Sequence, residues 1–143
     1  MKIWQRLPSL VVIAVLVLGA GILAWRFISP STGTPMVSVR IPALSAMAVK
    51  GAKAYDANCA RCHGANAVGG DQGPPLVHDI YNPGHHADAA FVFAVKQGVR
   101  RHHWAFGDMP PLPQVREDDV YAIVRYIREL QEGNGIFYKP HRM

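Results

Sequence analysis

The chain has 143 residues, half of them hydrophobic, and a formal net charge of +5. That length holds one domain and little more. The positive balance does not mark a nucleic-acid binder: Lys2, Arg6, Arg26 and Arg40 carry four charges with no acid among them, and from Ser45 onward 11 Lys+Arg face 10 Asp+Glu, a net of +1. No basic face with interleaved aromatics stands out.

Leu10 to Ala24 contains no charged or strongly polar residue. With its flanks, the apolar segment approaches the ~20 residues that cross a bilayer as a helix. Lys2 and Arg6 precede it and suit a cytoplasmic end. Trp4 and Trp25 lie near the two ends, where aromatic belts form. Residues 1–28 are therefore expected to be a single-pass anchor in a bacterial inner membrane. A cleaved export signal is the alternative, although Leu18-Gly19-Ala20 is a poor cleavage match inside the run. Either reading places the remainder on the periplasmic side.

Residues 29–44 are rich in Pro, Ser, Thr and Gly and read as a semi-extended linker. The folded module is expected over 45–132, with a tail over 133–143. Its first helix is predicted from about Leu44 to Asn58. A shorter one is predicted from about Ala87 to Gly98, with Phe91, Val92 and Val95 on one face. The last is predicted from about Glu117 to Gln131. There Val120, Ile123, Val124, Ile127 and Leu130 follow the period of a buried helical face. Glu117, Asp118 and Asp119 fill its first turn, where the helix dipole favours negative charge. Gly133 is expected to stop it. No alternating strand pattern is convincing, so the module is expected to be all-α. Its long Gly-, Pro- and His-rich loops imply something to wrap around.

The only two cysteines stand in Cys59-Ala60-Arg61-Cys62-His63. A disulfide between them would close a tiny loop and stabilise little. A thioredoxin-like redox pair needs a strand before it and a helix after it, and here the order is reversed. Zinc needs a second ligand pair, and the spacing of His78, His85, His86, His102 and His103 matches no zinc finger. Covalent haem accounts for all five positions, because Cys-x-x-Cys-His reads as c-type haem attachment. Two thiols become thioethers, and His63 donates Nε2 to the iron. Export fits, since bacteria attach this haem outside the cytoplasmic membrane.

The pattern Gly51-x-x-x-Tyr55-x-x-x-Cys59-x-x-Cys62-His63-Gly64, then Gly73-Pro74-Pro75-Leu76, then Met109-Pro110, then Tyr126-Ile127 resembles a monohaem class I cytochrome c. The resemblance covers about residues 45 to 132. It implies a cytochrome c fold, preceded here by the N-terminal helix. It implies that Gly51 lets the first and last helices cross closely, with Tyr126 at the crossing. It implies a Pro carbonyl hydrogen-bonded to His63 Nδ1–H, Pro74 being favoured over Pro75. It also places Leu76 in the haem-contacting core. Arg116 stands where the family often has a Ser or Thr cap.

A His/Met iron has a raised potential suited to electron transfer. Met109, 46 residues after His63, is the expected sixth ligand, in a loop stiffened by Pro110, Pro111 and Pro113. The pairs His85-His86 and His102-His103 are the rival, as bis-His ligands. Copper handling by those pairs with Met109 is a further possibility. Trp104 and Phe106 are expected in the haem-pocket wall, with core filling as the alternative. Arg100 and Arg101 are read equally as propionate or partner contacts and as solvated surface. The expected function is one-electron transfer through one covalent haem c and its iron, without enzymatic activity. Expected partners are a quinol-oxidising complex, a terminal oxidase or a periplasmic dehydrogenase. The alternative is a haem-based sensor or the ligand-binding subunit of a redox complex, with a weak, absent or His sixth ligand.

Overall fold

The computed structural model describes the backbone of residues 7–28 and 36–140, and side chains over 11–25 and 36–140. The chain divides into two units, 1–31 and 32–143. The first contains one helix, α1, Leu7–Ile28. Its apolar side chains, Leu16 and Leu18 among them, are exposed. Among the described residues no helix is long and apolar enough to cross a membrane. The transmembrane helix expected from the sequence is therefore not established by the structure. Within α1 the uninterrupted apolar run is bounded by Ser9 and Arg26 and is shorter than the ~20 apolar residues of a typical span.

The second unit is helical, and among its described residues the only extended pairing is one isolated bridge, Val99 with Met109. Helix α2 runs Ala46–Asn58 and starts on Ser45, whose hydroxyl accepts from Ala48 N at 3.2 Å. A single turn, α3, Ala60–His63, follows at once. Helix α4 is Asp88–Gln97, and α5 is Glu117–Gly133. The apolar period of α5 sets its burial: Val120, Ile123, Val124, Ile127 and Leu130 are all buried. Arg116 gives α5 no side-chain cap, so Glu117, Asp118 and Asp119 favour that end through the helix dipole alone. Gly133 is the last residue of α5 rather than its stop. The Asn134 side chain closes the end by donating to Leu130 O at 2.7 Å.

Helix α2 crosses α5 at Gly51. A Cβ added there would lie 1.9 Å from the Ala122 carbonyl oxygen, so only a residue without a side chain permits this approach. One turn on, the Tyr55 and Tyr126 rings pack 5.6 Å apart. The Tyr126 hydroxyl donates to Asn66 Oδ1 at 3.0 Å and the Tyr55 hydroxyl to Gly64 O at 2.9 Å. The two tyrosines thus tie the helix crossing to the loop after the cysteine motif.

Both margins of the module contribute to it. Met36 N and Val37 N donate to Val68 O, at 3.0 and 3.1 Å. Arg40 Nη2 donates to Gly133 O at 2.8 Å. The stretch expected as linker therefore contacts the module from Met36 onward. In the tail, Ile136 is buried, and Lys139 pairs with Asp79.

Candidate functional site

Cys59 ends α2 and leads into α3. Cys62 N and His63 N both return to Cys59 O, at 3.1 and 3.0 Å. Two thiols and an imidazole are thereby presented from one helical turn. Below it, the loop 64–77 doubles back. A Cβ on Gly73 would lie 3.0 Å from Cys62 O and 3.2 Å from His63 Nδ1. The missing side chain brings the loop backbone against the histidine, and Pro74 O stands 2.9 Å from His63 Nδ1. The choice between the two prolines, open in the sequence, is Pro74 for this contact.

Burial holds the His63 imidazole below its ordinary pKa, and the Pro74 carbonyl opposes that only in part. The ring is neutral at pH 7, with its proton on Nδ1 and a lone pair on Nε2. The Cys59 thiol is pushed up to about 11 by burial and then by the charge of Cys62. It is therefore a thiol rather than a thiolate at neutral pH.

An open-sided, largely apolar cavity lies beside this turn. Cys59, His63, Pro74 and Leu76 line one part of it, and Trp104, Phe106 and Met109 another. All seven were singled out in the sequence, and they meet at one cavity. Cys62, also singled out, is half-buried and absent from the lining; its Sγ lies 3.6 Å from Gln72 Oε1. Arg101 also lines the cavity, while Arg100 is exposed outside it.

Met109 is held by its backbone. It donates to Val99 O and accepts from Val99 N, each at 2.9 Å. This pairing closes the loop 99–109, and Leu112 N to Val95 O at 2.8 Å fastens the following prolines to α4. Trp104, on the same loop, has a buried Nε1 without a hydrogen-bond partner. The neighbouring Tyr81 hydroxyl, pushed up to about 12 by burial, is lowered somewhat by Trp104. That pair lies close to a bond without meeting its geometry. A buried indole N–H without an acceptor is costly and marks a place where a polar group belongs.

The cavity has further walls. Phe91 and Val95 of α4 and Ile123, Val124 and Ile127 of α5 line it. Their helical period was legible as a core face, but not as the wall of a cavity. Two polar residues of α5 escaped the sequence reading. Arg128 is buried and donates to Asp88 Oδ1 at 2.7 Å, Tyr81 O at 2.7 Å, Gln131 Oε1 at 2.6 Å and His86 O at 2.5 Å. Gln131 donates to Leu76 O at 2.8 Å and Tyr81 O at 3.1 Å. Together they fasten the loop over 76–86 to α5. A signal existed, since Arg128 and Gln131 follow Val124 and Ile127 by one turn each.

The family model for cytochrome c matches residues 48–131. This chain belongs to the cytochrome c family. No curated protein and no solved structure matches it. Cytochromes c bind haem c covalently through cysteine pairs and are in general electron-transfer proteins rather than enzymes. The cofactor of this cytochrome c is accordingly haem c with its iron. The residues fit that group: paired thiols and a lone-pair nitrogen on one turn, a largely apolar cavity beside them, and a buried indole N–H that lacks an acceptor.

Proposed function

We propose that this cytochrome c is a one-electron carrier with His63 and Met109 as its axial ligands, tethered to a membrane by α1 with its cofactor domain on the exported side. The single observation that carries the reading is one cavity lined by both His63 and Met109. Haem c supplies the chemistry when bound, as an iron cycling between the ferrous and ferric states. Cys59 and Cys62 would hold the group by thioether bonds. Pro74 orients His63 and raises its basicity by accepting the Nδ1 proton. The Val99 pairing positions Met109, whose thioether favours a raised potential. Phe91, Val95 and Ile127 keep water from the interior. With His63 and Met109 both holding the iron, no place on it would be left for a substrate.

The alternative is a sensor or ligand-binding subunit of a redox complex with a weak, absent or histidine sixth ligand; its histidine form draws support from His86, His102 and His103, which also line the cavity. The Met109 reading is preferred because its backbone is fixed on both hydrogen-bonding groups. Redox titration separates the two: a reversible one-electron wave without carbon monoxide binding supports the carrier. Rapid carbon monoxide binding by the reduced protein supports the sensor.

The tether rests on the apolar run Leu10 to Ala24, with Lys2 and Arg6 before it and Trp4 and Trp25 near its ends, the pattern of a membrane anchor. Tethering keeps a carrier at high effective concentration near membrane-bound donors and acceptors. Suitable partners are a quinol-oxidising complex, a terminal oxidase or a periplasmic dehydrogenase, docking through a small transient interface. Carbonate extraction of membranes tests the tether. The full chain is expected in the pellet and a form lacking 1–28 in the supernatant; release of the full chain would contradict it.

A further inference from the structure

Two histidine pairs far apart in sequence meet at the rim of the cavity. His85 and His86 sit on the turn before α4, and His102 and His103 on the loop 99–109. His85 Nε2 lies 3.1 Å from His103 Nε2. One ligand nitrogen each from His85, His86 and His103 falls within 4.8 Å of the other two. Imidazole nitrogens bound at ~2.0–2.1 Å to one tetrahedral ion stand roughly 3.4 Å apart. The three rings are thus already close to the spacing that a single ion would impose.

The supports of these rings are those of ligands. Asn82 O accepts from His85 N at 3.0 Å and from His86 N at 2.9 Å. Arg128 grips His86 O from α5. His86 Nδ1 stands 2.8 Å from Ile80 O, which places its proton on Nδ1 and leaves Nε2 with a lone pair. A metal-binding histidine characteristically donates its other N–H to a carbonyl in this way. His102 packs beside His103 at 4.3 Å between ring centroids and forms the outer wall. Arg101 N, held by Asp108 Oδ1 at 2.9 Å, fixes the start of that pair.

We propose that His85, His86 and His103 form a metal site, separate from the haem iron, that takes one late first-row divalent ion. Neutral imidazoles without a carboxylate or thiolate suit copper, zinc and nickel. The order of affinities makes Cu2+ the tightest of these. The site does not depend on the axial ligation proposed above, because its ligands come from three residues that the carrier reading does not use.

The test uses the full-length holoprotein, stripped of metal by a chelator and carrying no polyhistidine tag. Calorimetric titration with Cu2+ is expected to give one ion per chain, and electron paramagnetic resonance should show nitrogen couplings. Zn2+ is expected to compete for the same site. His85→Gln and His103→Ala should each weaken Cu2+ binding at least tenfold. His85 is exposed, so its variant keeps the fold, and its haem spectrum should match that of the unmutated protein. The proposal is overturned by three results: no stoichiometric binding of either ion, unweakened binding by the variant that combines His85→Gln with His103→Ala, or a changed low-spin iron spectrum in His85→Gln. The last would place the cluster on the haem iron instead.

Discussion

His63 Nδ1 and the Pro74 carbonyl oxygen stand 2.9 Å apart, held there by a glycine whose missing side chain lets the loop backbone touch the histidine. Gly73→Ala puts a methyl 3.0 Å from Cys62 O and 3.2 Å from His63 Nδ1. The loop must withdraw, at a cost of about 1–3 kcal/mol, and the hydrogen bond lengthens. A less basic imidazole stabilises ferric iron less, so the midpoint potential is expected to rise. Potentiometry and urea unfolding read the two effects. An unchanged potential would show that the Pro74 contact does not tune the ligand.

Gly51 makes the corresponding prediction for the fold. A Cβ there meets the Ala122 carbonyl oxygen at 1.9 Å, and backbone cannot step aside as a side chain does. Gly51→Ala is expected to cost about 3 kcal/mol and to lower the urea midpoint. Covalent haem should survive, because the motif on α3 is untouched. A midpoint within experimental error of the unmutated protein would contradict the close crossing.

Arg128 reaches four acceptors on three segments of the chain. Its Asp88 partner is largely exposed, so no buried carboxylate is stranded when the arginine is removed. The loss comes from the Tyr81 and His86 carbonyls and from buried Gln131. Arg128→Ala is expected to cost about 2–4 kcal/mol. Arg128→Lys should rescue little, since one ammonium cannot reproduce a planar fork of donors. Urea unfolding of both variants measures this; full rescue by lysine would reduce the role to charge alone.

Much of the site was legible because its chemistry is local. The CARCH turn carries two thiols and an imidazole within five residues, and its spacing alone named the cofactor. Met109 stood out as the methionine in a proline-stiffened loop between motif and last helix. The last helix declared its buried face through Val120, Ile123, Val124, Ile127 and Leu130. Arg128 and Gln131 did not declare theirs, because the acceptors that justify their burial are loop carbonyls 42 to 55 residues away. Met36 and Val37 were similarly hidden: their composition reads as linker, and only the position of Val68 O reveals what they bind. The histidine pairs were visible as pairs, but their convergence depends on how two separate loops fold.

The central claim is that His63 and Met109 face one iron. The measurement that tests it most directly is the absorption spectrum of the ferric protein, compared with that of Met109→Ala. A sulfur-to-iron charge-transfer band in the unmutated protein, lost in the variant, is the predicted result. A high-spin or bis-histidine spectrum in the unmutated protein would contradict it.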